Sequence, residues 1–333
     1  KEGNVHKAYI VESTNPSWKA GQVKFILNDP ADSNTAKVTF FMGDHSARQI
    51  DTMTLLGNNE VVLGNSFIVM SREEPRQESS PEITRYVRLL STKAPLFEKI
   101  SENTVLVRIP AFDHAFKKDI DAVIAKHLDT ILNTENLIID IRGNGGGSDV
   151  SYASLLPILY TNPIRTVGME YLSTELNNSR MLGFLENPHF SEEEKQWAKD
   201  GYDILQQHIG SYINIDDDVT VETFDKIEPL PKSIGVLVDS SNGSTAEQFL
   251  LAAKQSKKVK LFGQTTAGVL DISNMYQTDS PSGTYTLHYS LTKSLRIPHM
   301  AIDGVGIQPD YYIDGELPLY QWTSYTQKIL EGM

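Results

Sequence analysis

Apolar and polar positions along this chain follow two regimes. Up to about residue 95 the apolar stretches are short and β-branched, at residues 23–27, 38–42 and 66–70. Turn-forming clusters separate them, such as Asn28-Asp29-Pro30 and Leu56-Gly57-Asn58-Asn59. Short runs bounded by such residues predict strands joined by tight connections. A polar stretch over residues 71–82, with Pro75 and Pro81, reads as a linker. The expected organisation is therefore a small β-rich domain over residues 1–95 and a second domain over 96–333.

After the linker, strand and helix alternate. Residues 105–109 read as a strand, and Asp113 is placed to cap a helix. Its apolar positions Phe116, Ile120, Val123, Ile124, Leu128, Ile131 and Leu132 keep helical spacing. Residues 137–141 are nearly all apolar, as in a strand buried on both faces of a parallel sheet. The plan repeats with a strand at 234–238, a helix over 244–256 that turns Ala246, Phe249, Leu250 and Ala253 inward, and a strand at 259–262. Two such units predict an α/β core. Between them, residues 165–232 read as a polar, partly helical insertion, with a helix start at Ser191 followed by Glu192, Glu193 and Glu194. It suits a lid or substrate-binding element, and equally a surface decoration.

Composition narrows the function classes. The net charge of −13 and the absence of a basic stripe argue against a nucleic-acid partner. No apolar run approaches the roughly 20 residues of a membrane-spanning helix. With no cysteine there is no disulfide, thiolate metal site or cysteine nucleophile. None of the eight histidines has metal-ligand spacing, so neither metal nor cofactor is expected. Residue 1 is Lys with no signal peptide before it, as expected of a mature or trimmed chain.

Three segments carry candidate chemistry. In the first, a buried strand ends in Asp140-Ile141-Arg142-Gly143-Asn144-Gly145-Gly146-Gly147. Glycines there let the backbone turn its amides into a cleft that suits a phosphate or an oxyanion. A dinucleotide-binding turn is the rival, but its third glycine position holds Ser148, and a plain tight turn is also open. In the second, Ser244 stands at a helix start with Glu247 three residues on, the pattern of a capping box. The same position favours catalysis, because first-turn amides are unpaired and the helix dipole stabilises negative charge beside Ser244. It lacks the Gly-x-Ser-x-Gly spacing of α/β-hydrolases. The third is the loop from Ile302 to Asp310, where Asp303 and Asp310 read as solvated turn residues or as functional acids.

In combination and order these segments resemble the tail-specific (C-terminal processing) and tricorn-core serine peptidases. The shared pattern runs from the strand ending at Asp140 through Ser244-x-x-Glu247 and a Gly263, Thr266, Gly268 turn to Gly304-x-Gly306-x-x-Pro309-Asp310. The resemblance implies a ClpP/crotonase-like catalytic sheet with flanking helices. It implies Ser244 as nucleophile, with the Thr245 amide and one from Gly145 or Gly146 as the oxyanion hole. The lysine that serves as base in tail-specific members falls at Val269 here, which points to the tricorn-like branch. There the base is a histidine from a helical segment upstream of the middle domain, which the β-rich first 95 residues do not match. Asp303 sits where that branch has its acid. His114, after the strand entering the catalytic domain, is the internal candidate for the base, or a first-turn surface residue; His45, beside Asp44, reads as a loop histidine. Residues 1–95 occupy the place where many relatives carry a PDZ module, without a clear carboxylate-binding loop. The expected partner is a polypeptide substrate, and the expected site of action is the periplasm or cell envelope. The rival is a non-catalytic module of the same fold that binds a peptide or, as retinoid-binding relatives do, an apolar ligand.

Overall fold

The computed structural model describes residues 5–28, 37–50, 53–64, 68–186 and 190–333. The chain divides into two compact units, residues 1–93 with 315–325, and residues 94–314 with 326–333.

In the first unit, alternating apolar residues form two antiparallel sheets. One has the order β1 (Val5–Tyr9), β2 (Val23–Asn28), β3 (Lys37–Phe41), β4 (Ala47–Ile50), and the other is β5 (Met53–Leu56), β6 (Glu60–Leu63), β7 (Ile68–Ser71). Val38, Phe40, Ile50, Met53 and Leu63 pack between them as one core. The expected turn at Asn28-Asp29-Pro30 and the start of the run at 66–70 lie outside the described residues. The linker expected over 71–82 runs into a helix, α1 (Pro81–Ser91). Ser80 caps it by accepting from the Ile83 amide at 3.2 Å, and Pro81 fills the first turn, where no amide donor is needed. Ile83, Tyr86 and Leu89 are its buried face.

The second unit opens with β8 (Leu96–Lys99), β9 (Thr104–Arg108), α2 (Lys117–Leu132) and β10 (Asn136–Asp140). Asp113 does cap, but it caps a short 3-10 turn over His114–Phe116 that precedes α2. Next come α3 (Leu156–Leu159), β11 (Ile164–Val167), β12 (Met169–Leu172), α4 (Glu175–Glu186), α5 (Glu192–Gln206), β13 (Tyr212–Ile213) and β14 (Val219–Glu222). Ser191 and Glu194 form the capping box expected at the start of α5. The chain then runs through β15 (Ser233–Val238), α6 (Thr245–Ala253), β16 (Val259–Gly263), β17 (Ile272–Asp279), β18 (Thr286–Ser294), β19 (Tyr311–Tyr312) and α7 (Trp322–Glu331).

The central sheet has the order β19-β16-β15-β10-β9-β8, parallel except for the antiparallel β8 edge. Every residue of β9 and β10 is buried, as a two-sided cover demands. This is the α/β architecture the alternating pattern predicts. The stretch over 165–232 is not a self-contained insertion. β12 pairs with β18, and β13 and β17 complete that four-stranded sheet, so strands before and after the catalytic segment share one layer. The parallel strands β10, β15 and β16 end on one side of the sheet, where open α/β sheets form their ligand crevices.

Candidate active site

The glycine turn is anchored at the end of β10. Burial by itself would raise the Asp140 carboxyl, but the Arg142 and Arg108 guanidinium groups, with hydrogen bonds from Arg142, outweigh it and hold the acid below its ordinary value. Arg142 Nε and Nη2 donate at 3.0 and 2.7 Å, and Arg108 Nη1 lies 3.4 Å away from the facing position on β9. Beyond this knot, Asn144 braces the turn. Its Nδ2 donates to the Ile109 carbonyl at 3.2 Å and its Oδ1 accepts from the Gly146 amide at 2.9 Å. Phe112 pairs with the turn on its other side, and a Cβ on Gly147 (φ +144°) would stand 2.3 Å from the Phe112 carbonyl carbon. Only glycine fits there.

The serine turn leaves β15 beside it. Asp239 Oδ1 accepts from the amides of Gly143 and Ser241 at 3.1 and 3.0 Å. Burial nonetheless raises its carboxyl above the ordinary value. Asn242, fully buried, donates to the Ile141 and Asn144 carbonyls at 2.6 and 3.0 Å, tying the two turns together. Ser244 then adopts φ +53° and ψ −125°, a region L-residues rarely occupy. The spacing of an α/β-hydrolase elbow is missing, yet the backbone makes the same kind of strained strand-to-helix turn. The capping-box alternative does not hold. Ser244 makes no side-chain cap bond, and Glu247 is fully buried and turned elsewhere. Its carboxylate accepts from Thr266 Oγ1 and from the amides of Gly268 and Val269 at 2.8 and 2.9 Å.

The two turns meet. A Cβ built on Gly146 (φ +105°) would lie 2.9 Å from Ser244 Cβ and 2.8 Å from the Thr245 nitrogen. Ser244 is partly exposed, and its Oγ has no hydrogen-bond partner among the described residues. Among those residues the Thr245 and Gly145 amides also make no hydrogen bond, whereas the Gly146 amide is taken by Asn144. The serine turn therefore offers a hydroxyl next to the open N–H of Thr245, with the glycine bend against it at Gly146.

The proton acceptor is a different matter. Val269 is 55% exposed, and its Cγ2 lies 2.6 Å from where a Gly243 Cβ would be, so this side chain stands beside the serine turn. Asp303 is partly exposed but not idle: its carboxylate accepts from the amides of Leu270, Asp271 and Ile272 at 2.6, 2.7 and 3.2 Å. Asp310 likewise accepts from the Leu261 amide at 2.8 Å. His114 is exposed in its 3-10 turn, two residues past the Phe112 that pairs with the glycine turn. His45, in the first unit, packs edge-on against Trp18 at 4.7 Å. Sequence reasoning gave no role to Asn242 or Asp149. Asp149 is an exposed residue, yet the atoms packed around its carboxyl raise it above the ordinary value against the lowering effect of Thr245. Its place directly after Ser148 was the available signal.

Among solved structures, mature CPAF complexed with lactacystin is similar, with a TM-score of 0.52 at 14% identity, covering 91% of this chain and 68% of that one. Mature CPAF alone gives 0.51 at 14%, covering 98% and 79%. Likeness at that identity is likeness of fold. In sequence, an uncharacterized protein of Chlamydia muridarum (strain MoPn / Nigg) is 25% identical over 268 residues, 69% of this chain and 44% of its own length. A protein of Chlamydia trachomatis serovar D (strain ATCC VR-885 / DSM 19411 / UW-3/Cx) is 27% identical over 205 residues, 53% of this chain and 34% of its own. The matched part is thus less than half of either relative. The sequence profile of Peptidase family S41 matches residues 103–313.

Proposed function

The chain belongs to peptidase family S41, and from that premise we propose that it hydrolyses polypeptides through an acyl-enzyme at Ser244. The observation that carries the reading is the Ser244 turn. A strained, partly exposed serine with no capping bond stands against the glycine bend, next to the open Thr245 amide. In the proposed reaction Ser244 Oγ attacks the scissile carbonyl carbon, and the carbonyl oxygen takes the negative charge. The Thr245 and Gly145 amides receive that oxyanion, and the N-terminal dipole of α6 adds to them. Gly146 contributes by letting the two turns touch. The base that takes the Ser244 proton gives it to the amine as the intermediate collapses, and water, losing a proton to the same base, then attacks the ester and releases the acyl group as Ser244 regains its proton. His114 is the internal base in this reading. Asp303 acts by holding the backbone that follows Val269. Within the family the reading is tricorn-like rather than Ser–Lys, supported by valine at position 269. A periplasmic or cell-envelope site of action rests on resemblance to exported bacterial members and is tested by fractionating cells.

A fluorophosphonate probe is expected to label Ser244, and Ser244→Ala to abolish labelling. Labelling that persists in the variant would remove Ser244 from the mechanism. One observation favours a second reading, a peptidase fold that binds without cleaving: no proton acceptor is hydrogen-bonded to Ser244 Oγ among the described residues. Val269→Lys separates the two, since it puts an amine beside the serine turn. A silent wild type with a labelled lysine variant supports binding only.

A further inference from the structure

Asn242 is fully buried, and every polar group on it is committed. Its backbone N–H donates to the Asp239 carbonyl at 3.1 Å, and its own carbonyl accepts from the Ala267 amide at 2.8 Å. Oδ1 accepts from the Asp239 amide at 2.8 Å, and Nδ2 donates to the carbonyls of Ile141 and Asn144. An N–H on one side and two carbonyls on the other allow the side-chain amide a single orientation. The Asn144 carbonyl shares one planar trans peptide unit with the Gly145 N–H, and the two point opposite ways. Holding that carbonyl 3.0 Å from Nδ2 therefore sets the direction of the Gly145 N–H. Around it the amides of Gly143, Asn144 and Gly146 are occupied, by Asp239 Oδ1, the Ile141 carbonyl and Asn144 Oδ1. Gly145 sits against the serine turn. Its carbonyl oxygen lies 4.0 Å from where a Gly243 Cβ would be, and a Cβ on Gly145 would lie 4.0 Å from the Ser241 carbonyl oxygen.

We propose that Asn242 is a positioning residue for the oxyanion hole, acting through the peptide unit between Asn144 and Gly145. Its side-chain N–H fixes the direction of the Gly145 donor. The hydrogen bond it gives to the Asn144 carbonyl also polarises that unit, so the Gly145 N–H donates more strongly. The inference deepens the peptidase reading and rests on it, because Gly145 has an oxyanion to receive only if Ser244 is the nucleophile.

Isothermal titration calorimetry on the whole chain tests it with N-acetyl-Ala-Ala-Phe trifluoromethyl ketone and the matching tripeptide amide. Ser244 Oγ adds to the ketone carbon, the serine proton passes to the base, and the ketone oxygen is left negative in the oxyanion hole. The amide forms no bond to the serine and reports the remaining contacts alone. Wild type is expected to bind the ketone more tightly than the amide. Asn242→Ala is expected to lower that preference at least about tenfold while amide binding stays within about twofold, since one such donor contributes about 10²–10³ and misdirection removes part of it. Asn242→Ser carries the same expectation where the alanine variant does not fold. A preference unchanged in the folded variant, or a loss shared equally by ketone and amide, makes Asn242 a structural tie only and overturns the proposal while the acyl-enzyme stands. A wild type with no preference removes the acyl-enzyme and this inference with it.

Discussion

Ser244 is held at φ +53°, where a Cβ is strained and glycine is not. Ser244→Gly is therefore expected to be about 1 kcal/mol more stable than Ser244→Ala, although neither reacts with a serine-directed probe. Urea denaturation of the two variants checks this; equal midpoints would mean the turn stores no strain. Gly146 is the complementary position, since an added Cβ would meet the Gly243 carbonyl oxygen at 2.7 Å. Gly146→Ala is expected to cost about 2 kcal/mol and to reduce probe labelling at least tenfold, because the turns must separate. The candidate serine was legible as a residue type in a motif. Its backbone strain was not, because that conformation is imposed by Asn242 bridging two loops about a hundred positions apart.

At the scale of elements, Ser244 and Glu247 carry a capping-box pattern that the fold puts to another use. Glu247 is instead the acceptor that shapes the turn at 266–269. Glu247→Gln brings N–H donors up against N–H donors. It is expected to lower stability by about 1–3 kcal/mol while helical circular dichroism of the folded protein stays unchanged. Fraying of α6 in that variant would restore the capping role. Elsewhere, periodicity did what propensity could not. Ile120, Ile124 and Ile131 are buried on α2 as their spacing predicts, although Leu128 on the same stripe is 38% exposed. The helix α1 escaped notice because its signal, Ser80-Pro81-Glu82, sits at the end of a polar stretch that looks like linker throughout. The sheet joining β12 to β18 was invisible for a simpler reason: pairing across more than a hundred residues leaves no local pattern.

For the whole molecule, buried acids set opposing responses to pH. In Asp140 and Asp271 the raising effect of burial is outweighed by guanidinium and hydrogen-bond partners, so both are held below their ordinary 3.8. Their contribution to stability is present above that value and is lost as pH falls through the folded pKa. Asp239 is raised by burial above 3.8, so the folded chain holds its proton longer, and this group costs stability as pH rises through that window. Asp239→Asn should then stabilise more at pH 7 than at pH 3.5, whereas Asp140→Asn should destabilise most at pH 7. Urea midpoints at both pH values measure it, and parallel changes in the two variants would contradict the assignment. By itself the sequence determined the α/β class, the order of the parallel strands' segments and the residues offered for chemistry, because burial periodicity and glycine placement are local properties written residue by residue. Only the tertiary structure decided that the glycine bend touches Ser244, that Asn144 occupies the Gly146 amide, and that Asp303 and Glu247 bind backbone. Those outcomes depend on hydrogen-bond partners brought together from distant strands, and no local pattern encodes a partner.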